Sequence, residues 1–362
     1  GRVAALLSAL DRVPMGWDEI LHPGLAGDWL VQCWRHASHR DRALGAGYDC
    51  VYSAGYYLDL NLPAGWHYRV DPEAPRQALE ALDREMWSLP GLAGFKDALG
   101  SLAGAQSEGE ALPERDAKGR VLGGEACMWT ELVTDELLDR RVFSRLPAVA
   151  ERLWSPREIT DEDSMYARLP GLWTFLARTT PVDLESSGMR LFSRLGDAKS
   201  LRDFADLLEP VKWYRRHIGD EAIRARAQRR RVADRPYDVL TPLNRLVDIL
   251  MPESLEGRRL SELVSKYVSA PDDSLEAQLR EHADSWRRIA AQLRTVDPAA
   301  LREVMALVEA LPRLADLLDA GLDRKDSALE NAPDLLAGAS KAAGECTLAI
   351  VAPLTILLGR QP

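Results

Sequence analysis

Four short apolar runs in this sequence each end in an aromatic residue, an acid, or both: Trp17-Asp18-Glu19, Trp34-Arg35, Tyr56-Tyr57-Leu58-Asp59 and Trp129-Thr130-Glu131. Indole faces stack on the apolar C–H faces of a pyranose ring, and carboxylates accept strong, charge-assisted hydrogen bonds from sugar hydroxyls. Trp17, Trp34 and Trp129 with Asp59 and Glu131 therefore describe a sugar pocket. A single Trp in such a place is more often a core filler, but the same chemistry at four strand ends favours a pocket. Asp18-Glu19 is the paired carboxylate that acid–base glycosidase chemistry would call for. Adjacent strand residues face opposite ways, so the two could serve one site only beyond the strand end. Glu19 reads instead as a structural hydrogen-bond or salt-bridge group near the rim.

These residues converge only if the elements carrying them do. Up to about residue 180, short apolar runs alternate with helical ones, the pattern of parallel β/α units. The pattern predicts strands over 12–17, 29–34, 48–53 and 121–129, and helices over 3–10, 39–45, 74–87, 143–154 and 161–178. Residues 55–66 read as loop or lid. Residues 91–116, rich in Gly, Ala and acid, read either as an insertion shaping the site or as a solvated one. In a (β/α)8 barrel the strand C-termini form one rim, and active sites are built there. Four units make half a barrel with two open sheet edges, so the first half is expected to lie outside this sequence.

Residues 181–362 read as nearly all helical, with helices predicted over 201–217, 241–250, 274–293, 298–320 and 327–343, and a buried terminal helix over 346–358. The basic run 224–235 reads as a solvated helix face rather than a contact patch. The expected fold class is thus α/β then all-α: a half (β/α)8 TIM barrel over 1–180 and a helical domain over 181–362.

Composition narrows the function classes. The 362 residues hold 46 Lys and Arg against 56 Asp and Glu, a formal charge of −10, which argues against a nucleic-acid partner. Up to residue 180 there are 19 basic against 27 acidic side chains, and after it 27 against 29. Eight of the ten tryptophans lie at or before Trp173, so the acidic, aromatic half is the one that carries the chemistry. Cys33, Cys50, Cys127 and Cys346 are far apart, with no CxxC pair and no His at zinc spacing. Neither a disulfide framework nor a metal site is indicated, and no cofactor is expected. The apolar run 346–358 contains Pro353 and is shorter than the ~20 residues of a membrane span.

Longer segments now make a resemblance visible. Gly16-Trp17-Asp18-Glu19, Val31-Gln32-Cys33-Trp34, Tyr56-Tyr57-Leu58-Asp59-Leu60, Gly123-Gly124-Glu125-Ala126-Cys127-Met128-Trp129-Thr130-Glu131 and Ala148-Val149-Ala150-Glu151-Arg152-Leu153-Trp154-Ser155 resemble the second half of the catalytic barrel of family 20 glycoside hydrolases, the β-N-acetylhexosaminidases. Residues 209–214 and 240–248 are similar to a helical extension in some bacterial members. The resemblance implies substrate-assisted, retaining exo-hydrolysis of terminal β-linked N-acetylglucosamine or N-acetylgalactosamine. In that scheme the sugar's own 2-acetamido oxygen attacks the anomeric carbon, outside the usual two-carboxylate mechanism. By the same resemblance Tyr57 is the catalytic positioning group on the acetamido oxygen. Trp17, Trp34 and Trp129 wall the ring, and Asp59 and Glu131 hold the 4- and 6-hydroxyls. Glu125 and Glu151 read as structural.

One departure matters. The family's acid/base Glu and its Asp partner lie in a His-x-Gly-Gly-Asp-Glu segment, and no such segment occurs in these 362 residues. The expectation is a fragment nearly inactive by itself. Its partner is a small carbohydrate, and the resemblance implies a periplasmic or secreted location. Two other readings stay open: a sugar-binding relative without catalysis, and a helical half that serves as a partner-binding module.

Overall fold

The computed structural model describes residues 2–25, 27–89, 118–212, 215–233, 237–238, 240–296, 301–324 and 330–359; the segment 91–116 lies outside them. The chain divides into two compact units, one of residues 1–130 and 142–175, the other of 131–141 and 176–362. The expected single cut at 180 is therefore replaced by an exchange, in which 131–141 belongs with the later residues.

The first unit is built on four parallel strands in sequential order, β1 (Met15–Trp17), β2 (Leu30–Cys33), β3 (Asp49–Tyr52) and β4 (Val121–Gly124). Trp17 pairs with Gln32, Cys33 with Tyr52 and Tyr52 with Gly124, so all four chains leave the sheet on one side. Val31, Cys33, Cys50 and Tyr52, which share one face of the sheet, are buried. Each strand lies inside the stretch that the sequence predicts, but is only three or four residues long. The predicted 121–129 strand ends at Gly124, and its extension touches the sheet again only as an isolated bridge between Tyr57 and Cys127.

Two adjacent glycines explain that break. Gly123 has φ +144°, a conformation that L side chains rarely adopt, at the register shift between β3 and β4. At Gly124 a Cβ would come within 2.7 Å of Leu153 and 2.8 Å of Tyr56, so only glycine lets the strand pass the Leu146–Trp154 helix this closely. The predicted helix over 143–154 is Leu146–Trp154, started by Pro147 in its first turn, and a helix outside the predicted range, Asp135–Val142, precedes it in sequence. The predicted loop 55–66 also closes into a short helix, Ala64–Arg69, whose residues are buried from Ala64 to Tyr68.

In the second unit the helices Asp273–Leu293 and Met305–Leu322 form the main pair. Leu279, Ala283, Trp286, Ile289, Ala290 and Leu293 make a buried stripe at helical spacing, and Arg280 and Arg287 bridge to Asp316, Asp319 and Asp323 along the seam. Two expectations fail here. The predicted 201–217 helix ends at Ala205, and Leu208–Pro210 forms a strand, β5, before a new helix starts at Arg215. The predicted terminal helix 346–358 begins as a strand, β6 (Cys346–Leu348), and only Val351–Leu357 is helical. The two errors share one cause: β5 and β6 pair antiparallel, Leu208 with Leu348. That partnership is 138 residues apart in sequence at Glu209 and Thr347, and local periodicity cannot register it. Pro210, which has no N–H for a helix, was the local sign.

Candidate active site

Beyond β1 the chain turns into a short 3-10 helix, Asp18–Ile20. Asp18 is 1% exposed, and its carboxylate is fully engaged. It accepts from the backbone N–H of Trp34 at 3.2 Å and from Arg35 through its backbone N–H and its Nε at 2.6 Å, and it pairs with the Arg35 guanidinium. Asp18 thus ties the end of β1 to the end of β2. Glu19 accepts both contacts of the Trp34 indole N–H, at 3.2 and 3.1 Å, and Arg35 stacks over the same indole at 5.6 Å. These bonds fix the Trp34 ring and leave Asp18-Glu19 no shared site for acid–base work.

Trp17 and Trp129, 112 positions apart, meet edge to face with ring centroids 5.6 Å apart and planes at 72°. Both remain well exposed, at 52% and 40%, which a core filler would not be; their faces stay available to stack on a ligand. Tyr57 joins them. Its backbone bridges Cys127, with the N–H of Leu58 donating to the Cys127 carbonyl at 2.7 Å and that of Cys127 to the Tyr56 carbonyl at 2.9 Å. Burial raises the Tyr57 pKa well above the usual phenol range, with Cys127 and the nearby Asp59 charge adding to it and a hydrogen bond with Trp129 opposing it. The hydroxyl therefore stays protonated and able to donate.

The loop that carries Asp59 is held from beneath. Arg145, fully buried, donates to the carbonyls of Leu58, Leu60 at 2.6 Å and Leu62 at 3.0 Å. One guanidinium thus fixes three carbonyls around Asp59. His67 props up the loop's start, its Nδ1 2.7 Å from the Gly55 carbonyl. Burial, then the Arg145 charge, lowers the His67 pKa to about 3, so the imidazole is neutral. An unfolded histidine titrates near 6.5; below that pH the unfolded chain takes up the extra proton and the folded one does not. Stability of the first unit should therefore be complete above pH 6.5 and fall as the pH drops toward 3. Urea unfolding followed between pH 7 and 5 should show this slope, and His67→Gln should flatten it; equal slopes would rule His67 out as its source.

Glu131, two residues after Trp129, belongs to the second unit. Its buried Oε2 has no hydrogen-bond partner among the described residues, a state that a ligand hydroxyl would relieve. Trp17, Trp129, Tyr57 and Asp59 are thus assembled in one cluster. Trp34 is joined to it through Asp18 and Glu19, and Glu131 is counted with the second unit. Glu125 accepts from Gln32 at 3.1 Å. Glu151 accepts from the Tyr68 hydroxyl at 2.8 Å and pairs with Arg168; both acids are structural. Sequence reasoning missed Arg145, His67 and Gln32. Only the start of a helix at Leu146-Pro147, directly after an arginine in an apolar run, hinted at the first. Among the described residues no group of three or more His, Cys, Asp or Glu could hold a metal ion, and no helix is long and apolar enough to cross a membrane.

Residues 1–157 match the model of the glycosyl hydrolase family 20 catalytic domain. The β-hexosaminidase subunit beta of Entamoeba histolytica is 34% identical over 181 residues, 47% of this chain and 28% of that protein, and the human β-hexosaminidase subunit beta is 27% identical over 176 residues, 46% and 25% respectively. The chain thus spans about a quarter of the length of these curated relatives. An X-ray structure of Flavobacterium johnsoniae chitobiase superposes with a TM-score of 0.74 at 25% identity, covering 98% of this chain and 49% of that one. Through residues 1–157, then, this chain is similar to the catalytic domain of glycosyl hydrolase family 20.

Proposed function

We propose that these residues form the sugar-holding half of a β-N-acetylhexosaminidase active site, which removes terminal β-linked N-acetylhexosamines with retention and with the help of the substrate's own acetamido group. The observation that carries this reading is the protonated Tyr57 hydroxyl beside the exposed Trp17–Trp129 pair at the strand ends. An acetamido group seated between the indoles would receive the Tyr57 O–H on its carbonyl oxygen. That oxygen is then held in line with the anomeric carbon, and the orientational entropy of the attack is already spent. The bond from C1 to the leaving oxygen breaks as the acetamido oxygen bonds C1 from the opposite face, and the leaving oxygen takes a proton from the acid; water, giving a proton back to that carboxylate, then attacks C1 from the face the leaving group left and opens the oxazolinium ring. The proton donor is assigned to an Asp-Glu pair outside these 362 residues, because Asp18 and Glu19 are already engaged with Arg35 and Trp34.

The experiment uses a polypeptide that joins these residues to the family's Asp-Glu segment. It should hydrolyse an aryl N-acetyl-β-glucosaminide at least about 10³-fold faster than the aryl β-glucoside, since a correctly placed intramolecular nucleophile contributes at least that much. Comparable rates on both substrates would end the substrate-assisted reading. Glu19→Gln should leave kcat within about threefold, because a glutamine carbonyl still accepts from the Trp34 indole, whereas general acid–base groups are worth 10²–10⁴-fold. A loss in that larger range would return Glu19 to the chemistry.

A further inference from the structure

In the second unit a cavity of about 630 Å³ opens between the helix Arg215–Ala227 and the chain that follows it as far as Arg245. Its wall carries four guanidinium groups, of Arg216, Arg224, Arg230 and Arg245, and three carboxylates, of Asp220, Glu221 and Asp238. Two of the carboxylates are already used. Glu221 is buried and accepts from both terminal nitrogens of Arg230 and from the Ala233 backbone N–H; these bonds, Arg230's first, hold its pKa down to about 2. Asp238 accepts the Leu240 backbone N–H at 2.8 Å and so serves its own turn.

The cations are satisfied unequally. Arg216 is buried against Asp248 and Glu345. Arg224 meets Glu221 only at 3.7 Å and Arg245 meets Glu303 at 3.1 Å, and their side chains stay 58% and 40% exposed. His217 completes the wall. It is 5% exposed, and its Nε2 has no hydrogen-bond partner among the described residues. A buried polar atom left without a partner beside a cavity costs free energy unless a ligand meets it. The reading of 224–235 as a solvated face agrees with Arg224 and Arg230, whose side chains stay 58% and 40% exposed, while Arg230 also pairs with Glu221 and both line the cavity.

Guanidinium groups with donors to spare match the planar, multidentate acceptors of phosphate and sulfate. We propose that this cavity binds a compact oxyanion, phosphate or sulfate, either free or carried on a saccharide, with Arg224 and Arg245 as its charge partners and His217 at the inner wall. The proposal rests on the second unit alone and stands apart from the hydrolase reading.

Calorimetric titration of the 362-residue chain with inorganic phosphate, N-acetylglucosamine 6-phosphate and N-acetylglucosamine tests it. The two phosphates should bind with Kd below about 1 mM, and any heat from the neutral sugar, whose proposed seat is in the first unit, should not change when the cavity arginines are replaced. Arg224→Gln with Arg245→Gln should weaken phosphate at least about tenfold, the loss expected for a charge-assisted contact. Arg178→Gln, at an exposed arginine of another helix, should leave it unchanged. Because both cavity arginines are partly exposed, circular dichroism and the melting transition should stay as in the parent. Binding of the sugar phosphate that is tighter than that of phosphate and is weakened by the same two substitutions identifies a saccharide-borne ligand, and equal binding a free ion. No heat with inorganic phosphate up to about 10 mM, phosphate binding unchanged by the two cavity substitutions, or equal weakening by Arg178→Gln would overturn the proposal.

Discussion

Tyr57→Phe should lower kcat for an aryl N-acetyl-β-glucosaminide by about 10²–10³, the measured scale for removing one preorganised donor to a reacting oxygen, while KM changes by less than about tenfold. The asymmetry follows from where the hydroxyl acts. Phenylalanine keeps the ring beside Trp129 and the backbone bridge to Cys127, so the aromatic surface is kept and ground-state binding should change little. What is lost is the donor that strengthens as the acetamido oxygen commits itself to the anomeric carbon. Glu131→Gln should behave in the opposite sense. An amide still fills the space but accepts less strongly, so affinity falls more than turnover. Steady-state kinetics of both variants in the joined polypeptide would show the two patterns, and small, equal changes in kcat and KM for both would remove the pocket as assigned.

Arg145→Ala should destabilise the first unit by about 3–5 kcal/mol, the range for breaking a buried, fully hydrogen-bonded charge. Alanine removes the guanidinium and leaves the carbonyls of Leu58, Leu60 and Leu62 without their donor; each unsatisfied buried acceptor costs about 1–3 kcal/mol, less whatever water regains. Arg145→Lys keeps the charge but offers one point of contact where the fork reached three carbonyls, so an intermediate loss is expected. Because the chain has two units, a single unfolding free energy is ill defined. Tryptophan fluorescence isolates the first unit well, since eight of the ten tryptophans lie at or before Trp173. With a urea slope of about 2 kcal/mol/M, the fluorescence midpoint should fall by roughly 1.5–2.5 M. A shift below about 0.5 M would mean that the Asp59 loop is held by something other than Arg145.

The four strand ends were legible because each carries its own local signature, an apolar run closed by an aromatic or an acid. The rim follows from parallel order, which the alternation of strands and helices already implied. Helices with a regular apolar stripe, such as Asp273–Leu293, were legible for the same reason. Pairing between distant segments was not. The β5–β6 hairpin-like contact joins chains that local periodicity reads as helix, and the break of β4 at Gly124 depends on Leu153 and Tyr56 occupying the space that a side chain would need.

The sequence by itself determined the chemistry: which residues can stack on a sugar, which can hold its hydroxyls, and that Asp18-Glu19 stands in the wrong setting for an acid–base pair. The tertiary structure decided which of those groups act together and what supports them. Trp17 and Trp129 meet only through the order of the sheet, Asp18 is spent on Arg35, and Arg145 reaches back 87 positions to the Leu58 carbonyl. The physical reason is the same in each case. A side chain's type is written locally, whereas its desolvation and its hydrogen-bond partners are set by residues far along the chain, and those decide whether a carboxylate, an imidazole or a phenol is a structural tie or a reagent.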